Sequence, residues 1–541
     1  MKRLASILLF IWMLLVVKSC KWENDVYQDV PSPSSIYADD DSTLLGTFSH
    51  NGYDIAPYFC ESLREEVKSI LNEKDKNGQY FHLKKDKSKY SIYEDELKVY
   101  TTLDPQLQKY AEAAVYRHLS EDLQPAFTKN NEATKSFPFS NTYNGKKVSE
   151  QTIHNILKRA RKSSIRYSQM RSQGHSDEEI ETSFNVSVNM RVFSWSGDID
   201  TIMTPNDSIR YYKNIIRSGL ISIEPSTGHV KAWVGGINYD HFKFDHVRQG
   251  KRQIGSAIKP FIYSAGFSMG VAEPCTILSE DSYCVDPCDP SGRRWCPSGT
   301  SVRRVKDGFT HSSGSVSVPM MSLMGACSGP TTVATLFKRM NIDIPEDQVI
   351  PSMCLGTPDM SLFQATAAYA TFINNGKYVI PKTVRRIEDK DGNVIYSSGV
   401  ISNPVINPMI SYDILQMMEL VVKGGTSTSL RWHKKWGGIT HPTAGKTGTT
   451  QGNSDMWFFG ATPDLVTGVW TGGEDKQVRF RSMTWGQGAR ASLPIYGYYM
   501  QQVYADSSLN ISTKGFEAPR HYDPSRFNCD STENNSRNPF K

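Results

Sequence analysis

The sequence carries no surplus of either charge: 61 Lys and Arg stand against 56 Asp and Glu, a net charge of +5. So mild and dispersed a balance points to neither nucleic acid nor a polybasic membrane patch as partner. Long apolar runs are scarce. The one run of note, Leu4 to Val17 behind the basic Lys2 and Arg3, is too short to span a bilayer. No internal repeat is visible, which sets aside repeat architectures. Nine cysteines are present, but CVDPCDPSGRRWC lacks paired C-x-x-C spacing, so disulfides are favoured there over a zinc knuckle. The most basic stretch, residues 156–173, reads as a solvated helix face rather than as a seat for anionic glycan or lipid. With 541 residues, the chain has room for two folded units and a tether.

What is present is more informative. In KRQIGSAIKPFIYSA, Ser256 and Lys259 stand one helical turn apart, on one helix face. A lysine desolvated there loses its proton readily and can take that of Ser256 as its hydroxyl attacks a carbonyl. The apolar PFIYSAGFSMG that follows supplies the burial, and Ser256 in the first turn aims the helix dipole at developing negative charge. S-x-x-K alone is weak, since a chain rich in Ser and Lys holds several by chance.

HPTAGKTGTT at 441–450 supplies a partner. Gly445 and Gly448 flank Lys446 and Thr447, which suits a strand edge that a substrate backbone approaches closely and pairs with as an added strand. Lys446 and Thr447 then offer charge and a hydroxyl to a carboxylate. On its own K-T-G is equally a solvated turn; downstream of S-x-x-K it completes the motif set of penicillin-binding proteins and serine β-lactamases.

SGLISIEPSTGHVKAWVGG, DHVRQGKRQIGSAIKPF, SMCLGTPDMSLFQATAAYATFINNGKYVIP and AGKTGTTQGNSDMWFFGATPDLVTGVWTGGED resemble the transpeptidase domain of class A penicillin-binding proteins. LKVYTTLDPQLQKYAEAAV and GQGARASLPIYGYYM extend the resemblance from about residue 53 to about 518. It implies an α+β fold of the β-lactamase/transpeptidase type: an antiparallel sheet flanked by helices, a mostly helical subdomain, and an N-terminal pedestal. The expected division is a signal peptide over 1–20, a tether over 21–52, a pedestal with a polar insertion over 53–215, the transpeptidase domain over 216–515 and a loose tail over 516–541. GLISIEPSTGHVKAWVGG and WFFGATPDLVTGVWTGG read as hairpins, and Asp455 and Trp457 as packing the active-site sheet. Class A relatives carry a glycosyltransferase domain first, for which residues 1–52 leave no room, so glycan polymerisation is not expected of this chain.

The family's third motif, S-x-N, departs from pattern. Its best match is Ser315-Val316-Ser317, downstream of Trp295-Cys296-Pro297, with a serine where the family has asparagine. Serine donates and accepts but lacks the amide fork. The resemblance implies that Ser256 attacks the penultimate D-alanine carbonyl of a stem peptide with Lys259 as base. The oxyanion would lie between the backbone N–H groups of Ser256 and Thr449. Ser315 would pass a proton to the departing D-alanine, with Ser317 in the orienting position, while Lys446, Thr447, Gly448 and Thr449 hold the carboxylate. The acyl group then goes to an amine, giving a cross-link, or to water. A β-lactam would stay on Ser256 as an ester. No metal or organic cofactor is implied. The implied partners are peptidoglycan stem peptides, β-lactams and a separate glycan polymerase.

The N-terminal MKRLASILLFIWMLLVVKSC reads as a signal-peptide core ending in a lipobox-like Val17-Lys18-Ser19-Cys20. Cys20 would be lipidated and anchor a periplasmic protein to a membrane through an acidic, Pro/Ser-rich tether; an uncleaved anchor and ordinary secretion are the alternatives. Cys20 aside, eight cysteines remain, an even number suited to an oxidising compartment. Four of them, Cys275, Cys284, Cys288 and Cys296, would staple the loop ahead of Ser315. The readings left open are a D,D-transpeptidase, a D,D-carboxypeptidase, and a peptidoglycan- or β-lactam-binding protein whose third motif has decayed.

Overall fold

The computed structural model describes residues 32–49, 53–143, 145–279 and 302–529. Cys20, Cys284, Cys288, Cys296 and the Trp295–Pro297 segment lie outside them. Both expected hairpins form and join one five-stranded sheet. Its strands are β1 (Arg217–Ile223), β2 (Val230–Val234), β3 (Ala444–Thr449), β4 (Asp455–Ala461) and β5 (Val466–Gly472), in the order β3-β4-β5-β1-β2. Every pairing in it is antiparallel.

Alternation along these strands builds two cores, because successive strand residues face opposite ways. Ile221, Trp233, Trp457, Phe459 and Trp470 enter one; Leu220, Val234, Met456, Phe458 and Val469 enter the other. The second core is covered by α1 (Pro105–His118) and, from the far end of the chain, by Leu493–Ala505. Helix α1, read from the sequence as part of the pedestal, therefore belongs to the layer covering this sheet. Gln108 of α1 donates to the Trp233 carbonyl (2.9 Å) and accepts from the Trp233 N–H (2.7 Å). It thus covers the free edge of β2.

The first core is covered by a helical set: α2 (Lys259–Ser268), α3 (Val305–Thr310), α4 (Gly314–Leu323), α5 (Leu362–Ile373) and α6 (Pro408–Gly424). The helix Leu493–Ala505 is α7. A second sheet runs Val394–Ser397, Val384–Glu388, Lys98–Thr101, Ser35–Tyr37, Leu44–Thr47. It corrects two sequence expectations. Residues 32–49, read as tether, are folded, because Ile36, Leu45 and Phe48 are buried under an acidic surface. The pedestal also borrows the hairpin at 384–397 from the downstream half of the chain. The tail from 516 is likewise not loose as far as it is described. Cys529 forms a disulfide with Cys275, 254 residues earlier, and Phe516 and Phe527 pack on the first core. Of the eight cysteines other than Cys20, Cys60 and Cys354 are buried free thiols rather than disulfide partners. No helix among the described residues is long and apolar enough to cross a membrane.

Candidate active site

Ser256 sits in a short 3₁₀ turn, Gly255–Ile258, and Lys259 opens α2 directly behind it. In a 3₁₀ turn residues i and i+3 eclipse, so the two side chains share a face. The apolar run after Lys259 does what its composition predicts: every residue from Lys259 to Phe267 is buried. Three contacts fix the turn. Tyr369 donates to the Ala257 carbonyl at 2.6 Å, Trp457 Nε1 donates to the Gln253 carbonyl at 2.9 Å, and Gly255 N–H donates to the Gly356 carbonyl at 3.0 Å. Trp457 is 1 % exposed, so it packs the sheet as expected and does not line the cleft.

Strand β3 is the edge strand, and its outer edge lies against this turn. A Cβ on Gly448 would come within 2.8 Å of the Ile254 carbonyl and 3.0 Å of Ala257 Cβ. A Cβ on Gly255, whose φ is +58°, would come within 2.7 Å of the Thr449 carbonyl and 3.2 Å of its nitrogen. The glycines therefore permit the contact that brings the Ser256 and Thr449 backbones together. Thr449 Oγ1 accepts from the Gly488 N–H at 3.1 Å, and Thr447 Oγ1 lies 2.8 Å from Thr426 Oγ1.

Lys259 and Lys446 are both buried, at 1 % and 0 % exposure, and meet at the turn between α3 and α4. Lys259 Nζ donates to the carbonyls of Ser312 (2.5 Å) and Ser313 (2.9 Å). Lys446 Nζ donates to Ser312 Oγ (2.8 Å) and to the Thr447 carbonyl (2.9 Å). Among the described residues no carboxylate pairs with either amine. Uncompensated burial of two ammonium groups is costly, so both shift toward neutrality. Burial lowers Lys259 to about 8, and burial together with the charge of Lys259 holds Lys446 well below its ordinary value. Ser256, Ser312 and Thr449 are half-buried. Among the described residues Ser256 Oγ makes no hydrogen bond; catalytic hydrogen bonds in free enzymes are commonly long before substrate arrives.

The third motif differs from its sequence register. Ser313 caps α4, accepting from the Ser315 N–H at 3.2 Å, which puts Ser315 and Ser317 inside the helix. Ser315 Oγ lies 2.5 Å from Ser313 Oγ. Ser317 is fully buried, donating to the Ser313 carbonyl at 3.4 Å and lying 3.5 Å from Tyr263 OH. The hydroxyl that meets Lys446 is that of Ser312, held at φ +56° in the left-handed region. A signal for this existed in HSSGSVSVPMM: a serine before an apolar run is a helix cap, which places the turn one residue earlier.

Residues 219–471 match the penicillin binding protein transpeptidase domain, and residues 136–216 the penicillin-binding protein middle domain. Most of the stretch 129–190, the polar insertion of the expected pedestal, falls within the middle-domain match. Penicillin-binding protein 1A of Rickettsia prowazekii is 27% identical over an alignment of 499 residues that covers 83% of this chain and 58% of that protein. Penicillin-binding protein 1A of Aquifex aeolicus is 30% identical over 293 residues, 53% of this chain and 38% of its own length. The chain thus spans less than two thirds of the curated relatives' length. The crystal structure of penicillin-binding protein 1A from Haemophilus influenzae has a TM-score of 0.58 at 19% identity, covering 84% of this chain and 71% of that one. A ceftriaxone acyl-enzyme complex of penicillin-binding protein A from M. tuberculosis has a TM-score of 0.52 at 12% identity, covering 87% and 98%. These two structures share the fold of this chain.

Proposed function

Because the chain belongs to the penicillin-binding proteins, with their middle domain at 136–216 and their transpeptidase domain at 219–471, we propose that it is a serine D,D-transpeptidase of peptidoglycan that also forms an ester with penicillin. One observation carries this reading: a half-open serine turn set beside two buried amines that no carboxylate satisfies among the described residues.

A neutral Lys259 has two N–H bonds, and the Ser312 and Ser313 carbonyls take both. Its lone pair is left for the Ser256 proton. Ser256 Oγ then bonds to the penultimate D-alanine carbonyl carbon of a stem peptide while its proton passes to Lys259. The new oxyanion falls to the Ser256 and Thr449 N–H groups, preorganised where charge develops. The substrate carboxylate meets Lys446, Thr447 and Thr449, and its charge restores the proton that burial withholds from Lys446. Ser312, held by Lys446, hands a proton to the leaving amine as the C–N bond breaks, in the role the sequence register assigned to Ser315. An incoming amine resolves the ester into a cross-link, and water would resolve it into a shortened peptide. Lipidation of Cys20 and partnership with a glycan polymerase complete the proposal, and Cys20 lies outside the described residues.

The test is an exchange assay. A synthetic stem peptide ending in D-alanyl-D-alanine is incubated with labelled D-amino acid, and release of D-alanine and incorporation of label are followed. The proposal expects incorporation. It also expects Ser312→Ala to slow turnover by roughly 10²-fold, the lower end of general acid-base contributions. Ser315→Ala should cost about tenfold or less, the worth of one neutral hydrogen bond. Release without incorporation would make the protein a carboxypeptidase; neither, from folded protein, would sink the reading. A larger loss in Ser315→Ala than in Ser312→Ala would restore the sequence register.

A further inference from the structure

The C-terminal segment Tyr522–Cys529 is fastened at four points, three of them on helices that lead to the two buried lysines. Cys529 is bonded to Cys275, just beyond α2. Lys306 of α3 donates to the Phe527 carbonyl at 3.0 Å, with its ammonium 5.2 Å from the Phe527 ring centroid. Asp413 of α6, fully buried, accepts from Tyr522 OH at 2.6 Å and from Arg526 Nη2 at 2.8 Å and Nε at 3.2 Å. Gln416, one turn on, donates to Tyr522 OH at 2.7 Å.

Helices α3 and α6 run from these anchors to the active site and end together. Thr426 N–H donates to the Thr310 carbonyl at 3.4 Å, and a Cβ on Gly425 would stand 2.2 Å from that carbonyl. Two residues past Thr310 is Ser312, whose carbonyl and hydroxyl take Lys259 and Lys446. Just past α6 is Thr426, whose hydroxyl meets Thr447. Buried charge needs such a partner set to hold one geometry, and among the described residues the side-chain partners of Asp413 all lie on the tail.

We infer that the tail is a brace of the active site: Tyr522, Arg526 and Cys529 are positioning residues that act through α3 and α6 to hold Ser312 and Thr426 against the two catalytic lysines. The inference rests on the acyl-enzyme reading above and adds that this carboxyl-terminal strap sets the rate of acylation.

The experiment measures acylation of the full chain by a fluorescent penicillin over a range of concentrations, separating the saturating rate from the half-saturating concentration. A brace sets alignment, and a misplacement near 1 Å costs up to about 10²-fold. Arg526→Ala combined with Cys529→Ser should therefore lower the saturating rate by roughly ten- to a hundredfold, with little change in half-saturation. Arg526→Lys, which keeps a cation opposite Asp413, should stay near wild type, which general loosening of the fold would not produce. Lys306→Met, which removes one contact and leaves the disulfide, should show a smaller loss of the same kind, and it carries the test if the double variant fails to fold. Folded variants with the wild-type saturating rate overturn the brace. Absence of acylation in wild-type protein overturns the underlying reading instead, so the two failures are distinguishable.

Discussion

Replacing Lys259 by methionine is expected to slow penicillin acylation by roughly 10²- to 10⁴-fold, the range that a positioned general base supplies. Methionine matches the length and apolar character of the lysine stem, so the fill of α2 is preserved and the amine alone is removed. The pH profile sharpens the prediction. Burial holds Lys259 at about 8, and its base form exists above that value. Acylation should therefore climb as pH rises through about 8 and level off beyond it. Among the described residues the other titratable groups facing Lys259 are Lys446 and the Cys354 thiol. Burial pushes Cys354 up to about 12, so it stays protonated throughout. Lys446, on the proposed reading, would meet the carboxylate of the β-lactam. The rise belongs to Lys259 and should be absent from whatever residual rate Lys259→Met retains. Fluorescent-penicillin labelling measured from neutral to alkaline pH gives both quantities. A variant that keeps the wild-type rate, or keeps the rise near pH 8, would show that another group is the base.

Gly448→Val is expected to be nearly as damaging although it removes no functional group. The first carbon added at Gly448 already stands 2.8 Å from the Ile254 carbonyl and 3.0 Å from both Ala257 Cβ and Trp457 Cβ. Two of those atoms belong to the nucleophile turn and its approach, which Tyr369 and Trp457 hold in place. The third belongs to the neighbouring strand, paired opposite Gly448. Strand β3 must then move outward, taking the Thr449 N–H away from the oxyanion position. Overpacking of this kind costs about 1–3 kcal/mol of stability, while loss of an oxyanion donor costs about 10²–10³ in rate. The melting temperature should thus fall by only a few degrees while acylation falls by two orders of magnitude or more. Equal rates in the folded variant and wild type would show that β3 does not shape the reacting geometry.

The placing of Ser256, Lys259 and Lys446 together was legible because it rests on local spacing. S-x-x-K puts two side chains on one face whether the turn is 3₁₀ or α, and glycines around K-T-G permit close approach whatever the rest of the sheet does. The hairpins were legible for the same reason, as alternation around a turn. The partner of Lys446 was not, because it is chosen by how α3, the cap at Ser313 and α4 turn in space: the motif lettering points to Ser315, whereas the hydroxyl beside Lys446 is that of Ser312. The strands at 35–37 and 44–47 were hidden by their acidic surroundings; they pair with each other, but the sheet they join continues through 98–101 to 384–388, beyond any local pattern. The tail was misread for the same reason: a polar composition describes its surface, whereas Asp413 and Cys275, far away in sequence, decide where it lies.

The central claim is that Ser256 is an acyl acceptor. Intact-protein mass spectrometry after exposure to penicillin, followed by peptide mapping, tests it most directly. One added penicillin mass is expected, carried on the peptide that contains Ser256 and absent from Ser256→Ala. Folded protein that acquires no mass, or a Ser256→Ala variant that still acquires it, would contradict the account.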